Sequence, residues 1–228
     1  MRRSCVSWFL VGIVGFLQNC HSIDFYKMEL FTTLCWACRE TELHCENEFR
    51  SRSNLEADDF EFPVGSKYGQ GYYIAQGFGE RNPRFGGRFH LGEDWNYEGG
   101  GDSDYAAPVY SIAKGIVTQV QSFAGGWGLV VRTCHKLTRE LREEFGFSYV
   151  ESLYAHLYSS QVSTGDAVGM GQWIASIGDG NNQYTSHLHF ELRSEPGREI
   201  GGGYADEIQS YYIHPVKFLS YFQKRFAH

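Results

Sequence analysis

The sequence predicts an all-β domain of antiparallel strands, in a sheet or sandwich-like arrangement, with a short helix at its C-terminus. From residue 62 onward, short apolar runs alternate with segments rich in Gly, Asn, Asp and Ser. Such runs, bounded by turn residues, are typical of antiparallel strands. The 228-residue chain has 27 glycines and 5 prolines, which favours tight turns between strands over proline-rich linkers.

Five apolar runs are the predicted strands. They contain β-branched or aromatic residues and are flanked by turn residues, as strands usually are. In chain order they are 72–75, 109–112, 115–120, 129–131 and 173–177. Between the last two, Leu137, Leu141 and Phe145 recur at four-residue spacing among charges, which predicts a short amphipathic helix or an extended hairpin tip.

A final helix is predicted to begin at Pro215. After it, Val216, Leu219, Phe222 and Phe226 recur at steps of three and four residues. This period places them on one face of a helix that packs on the sheet, with proline in its first turn.

The first residues predict an export signal over 1–22. Arg2 and Arg3 precede a short apolar run at 6–17. That run is shorter than the about 20 apolar residues that a membrane-spanning helix needs, so an export signal is the better interpretation.

Two cleavage sites fit this signal. Residues 17–20 resemble a bacterial lipobox, which predicts a lipidated Cys20 and membrane anchoring of the protein. Asn19 departs from the small residue usual before that cysteine. Ordinary signal cleavage after Ser22 is therefore the alternative.

Residues 23–61 are predicted to be a spacer or tether, because much of this segment is charged and lacks the alternation of a strand. The main domain is predicted over 62–228. Four cysteines lie beyond the signal: Cys35, Cys38, Cys45 and Cys134. Disulfides suit an exported protein, but the sequence leaves their pairing open. A disulfide or free thiols are favoured over a second metal site at 35–38.

The acidic balance of the chain excludes general nucleic-acid binding. Its formal net charge is −7, and no basic stripe is available to neutralise phosphates. A polymer of sugars and short peptides is not excluded by this charge.

Three short motifs carry donors that suit a zinc ion. His90 and Asp94 are four residues apart, and His187 and His189 are two apart. On a strand, the second spacing turns both imidazoles to one face. His156 lies in a third alternating run, at 153–158. Each motif alone is a weak signal, but three ligands plus spare imidazoles are what metal-assisted amide hydrolysis requires.

In this order and context, the motifs resemble those of the M23 (LytM or lysostaphin-type) zinc metallopeptidases. The resemblance covers residues 67–220 and extends to supporting segments. These segments are 107–110, 125–128, 165–172 and 214–219. It implies that 62–228 is a LytM-type peptidase domain.

The resemblance also implies a role for each motif residue. His90, Asp94 and His189 are the implied ligands of one Zn²⁺, with water in the fourth place. His156 and His187 are the implied catalytic pair. No H-E-x-x-H motif supplies a glutamate base, so one imidazole takes the proton of water and the other stabilises the oxyanion. The residues leave open which does which.

The implied function is that of an exported zinc endopeptidase that hydrolyses peptide bonds in bacterial peptidoglycan. Its implied location is the cell envelope, in the periplasm or anchored to the membrane through Cys20. The alternative is a non-catalytic LytM-type domain that binds the wall or regulates a cell-wall amidase. All five motif positions are filled, which counts against that alternative.

Four further residues receive simpler interpretations. Glu93 is expected to point away from the site, outside the ligand set or at the surface. Glu191 shares strand parity with His189, but an exposed carboxylate is favoured over one that orients a ligand. His135 and His214 are expected to be structural.

Overall fold

Two β-sheets dominate the structure, a computed structural model that describes residues 45–50, 52, 54–65 and 69–225. The predicted export signal at 1–22, including Cys20, and the cysteines at 35 and 38 lie outside the described residues. Within the described part, none of the helices combines the length and the apolar character that crossing a bilayer requires.

The larger sheet has 11 strands among the described residues. They are β1 (Glu56–Ala57), β2 (Tyr72–Gln76), β5 (Glu93–Tyr97), β6 (Pro108–Tyr110), β7 (Gly115–Phe123), β8 (Gly128–Leu137), β9 (Tyr149–Ser160), β10 (Ala167–Val168), β11 (Trp173–Ile177), β12 (Leu188–Arg193) and β14 (Tyr212–Ile213). Its main path runs β10-β7-β8-β9-β12-β5-β2. All its pairings are antiparallel except that of β1 with β8. The predicted all-β antiparallel fold is therefore confirmed.

A smaller sheet carries one of the predicted site residues. It contains β3 (Arg81–Asn82), β4 (Arg88–His90) and β13 (Tyr204–Ala205). β3 and β4 form a hairpin that turns through a 3₁₀ helix at Pro83–Phe85. On its other edge, β4 pairs with β13 and places His90 opposite Tyr204.

Three α-helices lie in the described part of the chain: Cys45–Glu48, Arg139–Phe145 and Pro215–Arg225. The second connects β8 to β9, so both a helix and a hairpin tip occur where the sequence offered them as alternatives. The third begins at Pro215, as predicted, and buries Phe218, Leu219 and Phe222. Phe226 lies outside the described residues.

The two faces of β12 have different surroundings. Leu188, Phe190 and Leu192 point into the main hydrophobic core. His189, Glu191 and Arg193 alternate with them and are also buried, although they are polar. The second face is therefore a buried polar layer next to the predicted metal ligand.

The described part of the predicted spacer differs from a free tether. β1 pairs with β8, Ala57 and Phe60 are buried in the core, and a disulfide joins Cys45 to Cys134. Apolar side chains in a charged segment make these contacts. The surrounding charges prevented the sequence pattern from identifying these apolar side chains as part of the core. These contacts place 45–60 against the β domain. The domain boundary at residue 61 stays a prediction.

His135 is a buried histidine with a structural role. Its Nδ1 donates to the Lys114 carbonyl at 3.0 Å, and its Nε2 lies 2.8 Å from Ser152 Oγ. Burial lowers the pKa of His135 to about 4, against a weaker opposing effect of the Lys114 carbonyl. The folded protein therefore holds this ring neutral.

This burial predicts a loss of stability in acid. Because the folded pKa is about 4 and the unfolded one about 6.5, the stability that a neutral His135 contributes is present above pH 6.5 and falls towards pH 4. The loss between pH 8 and pH 5 is about 2 kcal/mol.

We expect the difference in unfolding free energy between the wild type and His135→Gln to shrink by that amount over this range. Denaturant titrations of both proteins measure it. The comparison also cancels the pH dependence of stability that other groups, such as Glu93, contribute equally to both proteins. A difference that stays constant with pH would contradict the expectation.

Candidate metal centre

Three donor atoms from three strands meet at one point. His90 ends β4, Asp94 lies in β5, and His189 lies in β12 directly opposite Asp94. His189 Nδ1 is 2.9 Å from Asp94 Oδ1 and 3.0 Å from His90 Nε2. His90 Nε2 is 3.4 Å from Asp94 Oδ1. The structure thus brings together the three residues that the sequence predicted as ligands.

The geometry of this triangle fits Zn²⁺. Nitrogen and oxygen donors at about 2.0–2.2 Å from a tetrahedral zinc ion lie about 3.3 Å from one another. The three distances in the protein, 2.9, 3.0 and 3.4 Å, are close to that value. Two imidazoles and one carboxylate are also donors that zinc accepts.

Gly92 allows the triangle to form. A Cβ atom at this position would lie 2.6 Å from the Phe190 carbonyl oxygen and 2.9 Å from His189 Cε1. The connection between β4 and β5 therefore approaches β12 more closely than any side chain would permit. The φ of Gly92 is not in the left-handed region, so close packing, and not backbone freedom, requires glycine here.

His189 is held from both sides. Its Nε2 lies 3.0 Å from Glu191 Oε1, while its Nδ1 faces Asp94. Burial by itself lowers the pKa of His189, but hydrogen bonds to Asp94 and Glu191 outweigh it and raise the pKa to about 9. The two carboxylates thus favour a positive charge at His189.

Glu191 is fully buried, so the exposed carboxylate favoured from the sequence is wrong. Its Oε1 accepts from His189, and its Oε2 accepts from Arg193 Nε at 3.1 Å. Burial raises the pKa of Glu191, but the charges of Arg193 and His189 outweigh this and lower it. A buried carboxylate on the far nitrogen of a ligating imidazole fixes its tautomer and orientation.

A network of buried charged side chains continues behind Glu191. Arg193 donates to the carbonyls of Glu199 and Ile200 at 3.0 and 3.1 Å, and Arg132 donates to both oxygens of Glu151 at 2.8 Å. The Arg193, Arg132 and Glu151 side chains are almost completely buried. This network therefore connects the candidate ligand His189 to the loop that follows β12.

We expect Glu191→Gln to lower zinc affinity by about 10- to 100-fold. The amide keeps the shape but removes the negative charge that supports His189, and it leaves Arg193 without its closest anion. Competition with a fluorescent zinc chelator measures the affinity. Glu195→Gln, an exposed carboxylate beyond the end of the same strand, is the matched control, and equal affinity of both variants would contradict the prediction.

His187 is oriented through its backbone neighbour. Its Nδ1 lies 2.8 Å from the Thr185 carbonyl and must donate to it, because a carbonyl only accepts. Its Nε2 lies 3.7 Å from Asp94 Oδ1. Ser186, between Thr185 and His187 in the chain, donates its N–H to Asp102 at 2.8 Å and its hydroxyl to Asp104. This anchoring fixes the segment that carries His187.

His156 has an unusual backbone. Its φ is +64°, in the left-handed region that residues other than glycine seldom adopt. The pairings of β9 with β8 and with β11 both shift register near this residue. The bulge re-aims the side chain towards the site, and its ring lies 4.8 Å from that of His187 and 5.4 Å from that of His189. Such conformations concentrate at functional sites.

The imidazole of His156 is kept neutral. Burial lowers its pKa well below the usual value, and the neighbouring imidazoles of His189 and His187 lower it further. The two histidines that the sequence set apart from the ligands, His156 and His187, thus lie beside the three donors. They also form a second cluster with Asp94.

An open cleft of about 730 Å³ leads to these groups. Three aromatic residues in its lining did not stand out in the sequence as site residues. Trp127 lies 5.4 Å from the ring of His189, Tyr184 lies 4.9 Å from that of His156, and Tyr204 stacks on His90 at 4.9 Å. Tyr204 is more than 100 residues from its partner in sequence, so no local motif could have identified it.

The remaining sequence expectations concern Glu93 and His214. Glu93 points away from the donors, as expected, but is fully buried rather than at the surface. Its Oε1 accepts the N–H of Val216 at 3.1 Å and lies 3.2 Å from His214 Nδ1. Burial raises the pKa of Glu93 to about 7. Both residues therefore attach the start of the C-terminal helix to β5.

The model of one protein family matches half of the sequence. The model of peptidase family M23 matches residues 88–201, which include all three ligand candidates and both unligated histidines. No curated protein sequence gives a significant match.

Several solved structures are similar to this one. A zinc-containing peptidase from Vibrio cholerae is 27% identical, with a TM-score of 0.46, over 60% of this chain and 37% of that one. The chain thus spans little more than a third of that peptidase. Lysostaphin, an antimicrobial peptidase from Staphylococcus simulans, is 22% identical, with a TM-score of 0.49, over 69% of this chain and 53% of that one. A mutant of the catalytic domain of the prophage-encoded M23 protein EnpA from Enterococcus faecalis is 22% identical, with a TM-score of 0.45, over 68% of this chain and 95% of that one.

Proposed function

The chain belongs to peptidase family M23, and we propose that it is a zinc-dependent endopeptidase that hydrolyses peptide bonds in bacterial peptidoglycan. The observation that carries the proposal is the triangle of His90, Asp94 and His189 at the floor of an open cleft. Its donor atoms lie 2.9–3.4 Å apart, and two further imidazoles flank it without belonging to it.

The residues divide into holding and reacting groups. His90 Nε2, Asp94 Oδ1 and His189 Nδ1 would hold one zinc ion. When bound, zinc supplies a Lewis acid that makes water nucleophilic near neutral pH and polarises the scissile carbonyl. A site with three protein ligands leaves a position open for this chemistry.

His187 is the better placed base. Its Nδ1 is committed to the Thr185 carbonyl, so in the neutral ring the lone pair is on Nε2, which lies 3.7 Å from Asp94 Oδ1 in the donor triangle. This nitrogen takes a proton from the attacking water and returns it to the leaving amine. The neutral imidazole of His156 donates its N–H to the oxyanion of the tetrahedral intermediate.

The non-catalytic alternative has less support. A domain that only binds the wall or regulates an amidase has no need to keep two further imidazoles, one of them buried, beside a metal triangle. It also has no need for the left-handed backbone of His156, which costs of order 1–3 kcal/mol.

We place the protein in the cell envelope, as an exported protein whose partners are peptidoglycan peptides. The disulfide between Cys45 and Cys134 supports an oxidising compartment. Export by residues 1–22, a spacer over 23–61, a peptidase domain over 62–228 and anchoring through Cys20 belong to the same proposal.

Digestion of purified peptidoglycan tests this function. The zinc-loaded protein is incubated with the polymer, and mass spectrometry of the soluble products identifies the bond that breaks. We expect new amine and carboxylate ends within the peptides, and none after chelation. Products cut in the sugar chain, or none from the zinc-loaded protein, would overturn the proposal.

A further inference from the structure

We infer that Arg84 forms a subsite for a carboxylate of the peptide substrate, which gives the cleft a preference for peptides with a free acidic group. The inference rests on the proposed function and names a class of substrate for it. Arg84 lines the same cleft as Asp94 and His189 of the donor triangle. It is exposed and lies in the turn of the β3–β4 hairpin.

The other arginines of this hairpin already have partners within the protein. Arg81 donates to the Gly87 carbonyl at 2.7 Å and lies over the ring of Phe89. Arg88 pairs with Asp206 at 3.4 Å. Among the described residues, no ion pair or hydrogen bond occupies the Arg84 guanidinium. A planar fork of N–H donors is therefore available to a ligand.

The hairpin turn is held firmly beside the metal triangle. Phe85, next to Arg84, stacks on Tyr204 with centroids 4.0 Å apart, and Tyr204 stacks on His90 at 4.9 Å. The hydroxyl of Tyr204 donates to Gln76 at 2.8 Å and accepts from Asn82 at 3.2 Å. Two ring contacts thus link the turn that carries Arg84 to a ligand candidate and fix the backbone of the turn relative to the reacting centre.

The composition of the cleft favours a peptide carboxylate as the occupant. Among the described lining residues, Arg84 is the one Lys or Arg. The lining also includes the neutral amides of Asn96 and Gln183, a type of side chain that can hydrogen-bond a peptide backbone. A guanidinium recognises a carboxylate through two parallel hydrogen bonds. The peptides of the proposed substrate carry such groups.

Binding to two forms of one polymer tests the inference. Purified peptidoglycan is used as isolated and after its free carboxyl groups are converted to carboxamides. Affinities come from co-sedimentation, with His156→Ala present in every protein so that turnover does not remove the substrate. We expect the protein with Arg84 to bind the native form about tenfold more tightly, as suits one charge-assisted contact.

Arg84→Gln is expected to lose this preference, and Arg84→Lys to keep part of it because it retains the charge. Arg88→Gln makes the same change in net charge on the same hairpin, but away from the cleft lining, and is expected to keep the preference in full. The inference would be overturned if the protein that retains Arg84 bound the native and the amidated polymer equally. An unchanged preference in Arg84→Gln would also overturn it. Absence of cleavage by the wild type, with the binding preference intact, would instead overturn the proposed function alone.

Discussion

Replacing His189 by alanine is expected to abolish both zinc binding and peptidoglycan hydrolysis. The change removes one of three donors and leaves two, which do not define a catalytic zinc site. It also leaves Glu191 buried without the imidazole that it supports. We expect activity to fall by at least about a thousandfold, equivalent to about 4 kcal/mol of transition-state stabilisation. Elemental analysis of the purified variant and a peptidoglycan digestion assay measure the two effects.

A histidine outside the site provides the control for this prediction. His214 is partly exposed, precedes the C-terminal helix and contacts Glu93 of β5, so His214→Ala is expected to keep its metal. Circular dichroism of both variants separates loss of metal from loss of fold. A folded His189→Ala protein that still carries one zinc ion per chain would contradict the assignment.

Replacing His156 is expected to have the opposite pattern, with zinc retained and activity lost. His156 lies beside the triangle but is outside it, with its ring 5.4 Å from that of His189. Loss of its N–H removes a donor to the oxyanion, an effect of about 10²–10³ on kcat. We therefore expect His156→Ala to bind one zinc ion and to lose at least about a hundredfold in kcat.

The left-handed backbone of His156 requires a second variant. Alanine at a φ of +64° is strained, so part of any loss could come from local rearrangement. Asparagine tolerates this region better than most residues, and His156→Asn is expected to be the more stable variant. If His156→Asn lacks zinc, or if both variants hydrolyse peptidoglycan at the wild-type rate, the role of His156 is refuted.

The candidate site was predictable to the extent that its residues sit in local patterns. The two-residue spacing of His187 and His189 indicates a shared strand face, and the structure places both beside Asp94. Spacing does not give the register between strands, so the opposition of His189 and Asp94 came only with the β5–β12 pairing.

Buried charge was the main feature that the sequence could not give. Glu191 was expected to be exposed because isolated carboxylates on strands usually are. It is buried because Arg193 and His189 neutralise it on both sides, and such compensation depends on the three-dimensional arrangement. The bulge at His156 was hidden for a related reason, since alternation describes a regular strand and an inserted residue interrupts it.

The fold shows the same division between local and distant information. Strand 173–177 was predicted with its observed bounds, because its apolar run ends in turn residues at both sides. Residues 45–60 were predicted as spacer because their many charges obscure Ala57 and Phe60, and because the partner of Cys45 is 89 residues away. A contact at that distance leaves no trace in local composition.

Anomalous diffraction at the zinc absorption edge tests the central claim most directly. From crystals of the zinc-loaded protein, we expect one strong anomalous peak about 2.0–2.2 Å from His90 Nε2, Asp94 Oδ1 and His189 Nδ1. Neither His156 nor His187 should coordinate this ion. A peak at another set of residues, or a fourth protein side chain in the open position, would contradict the account.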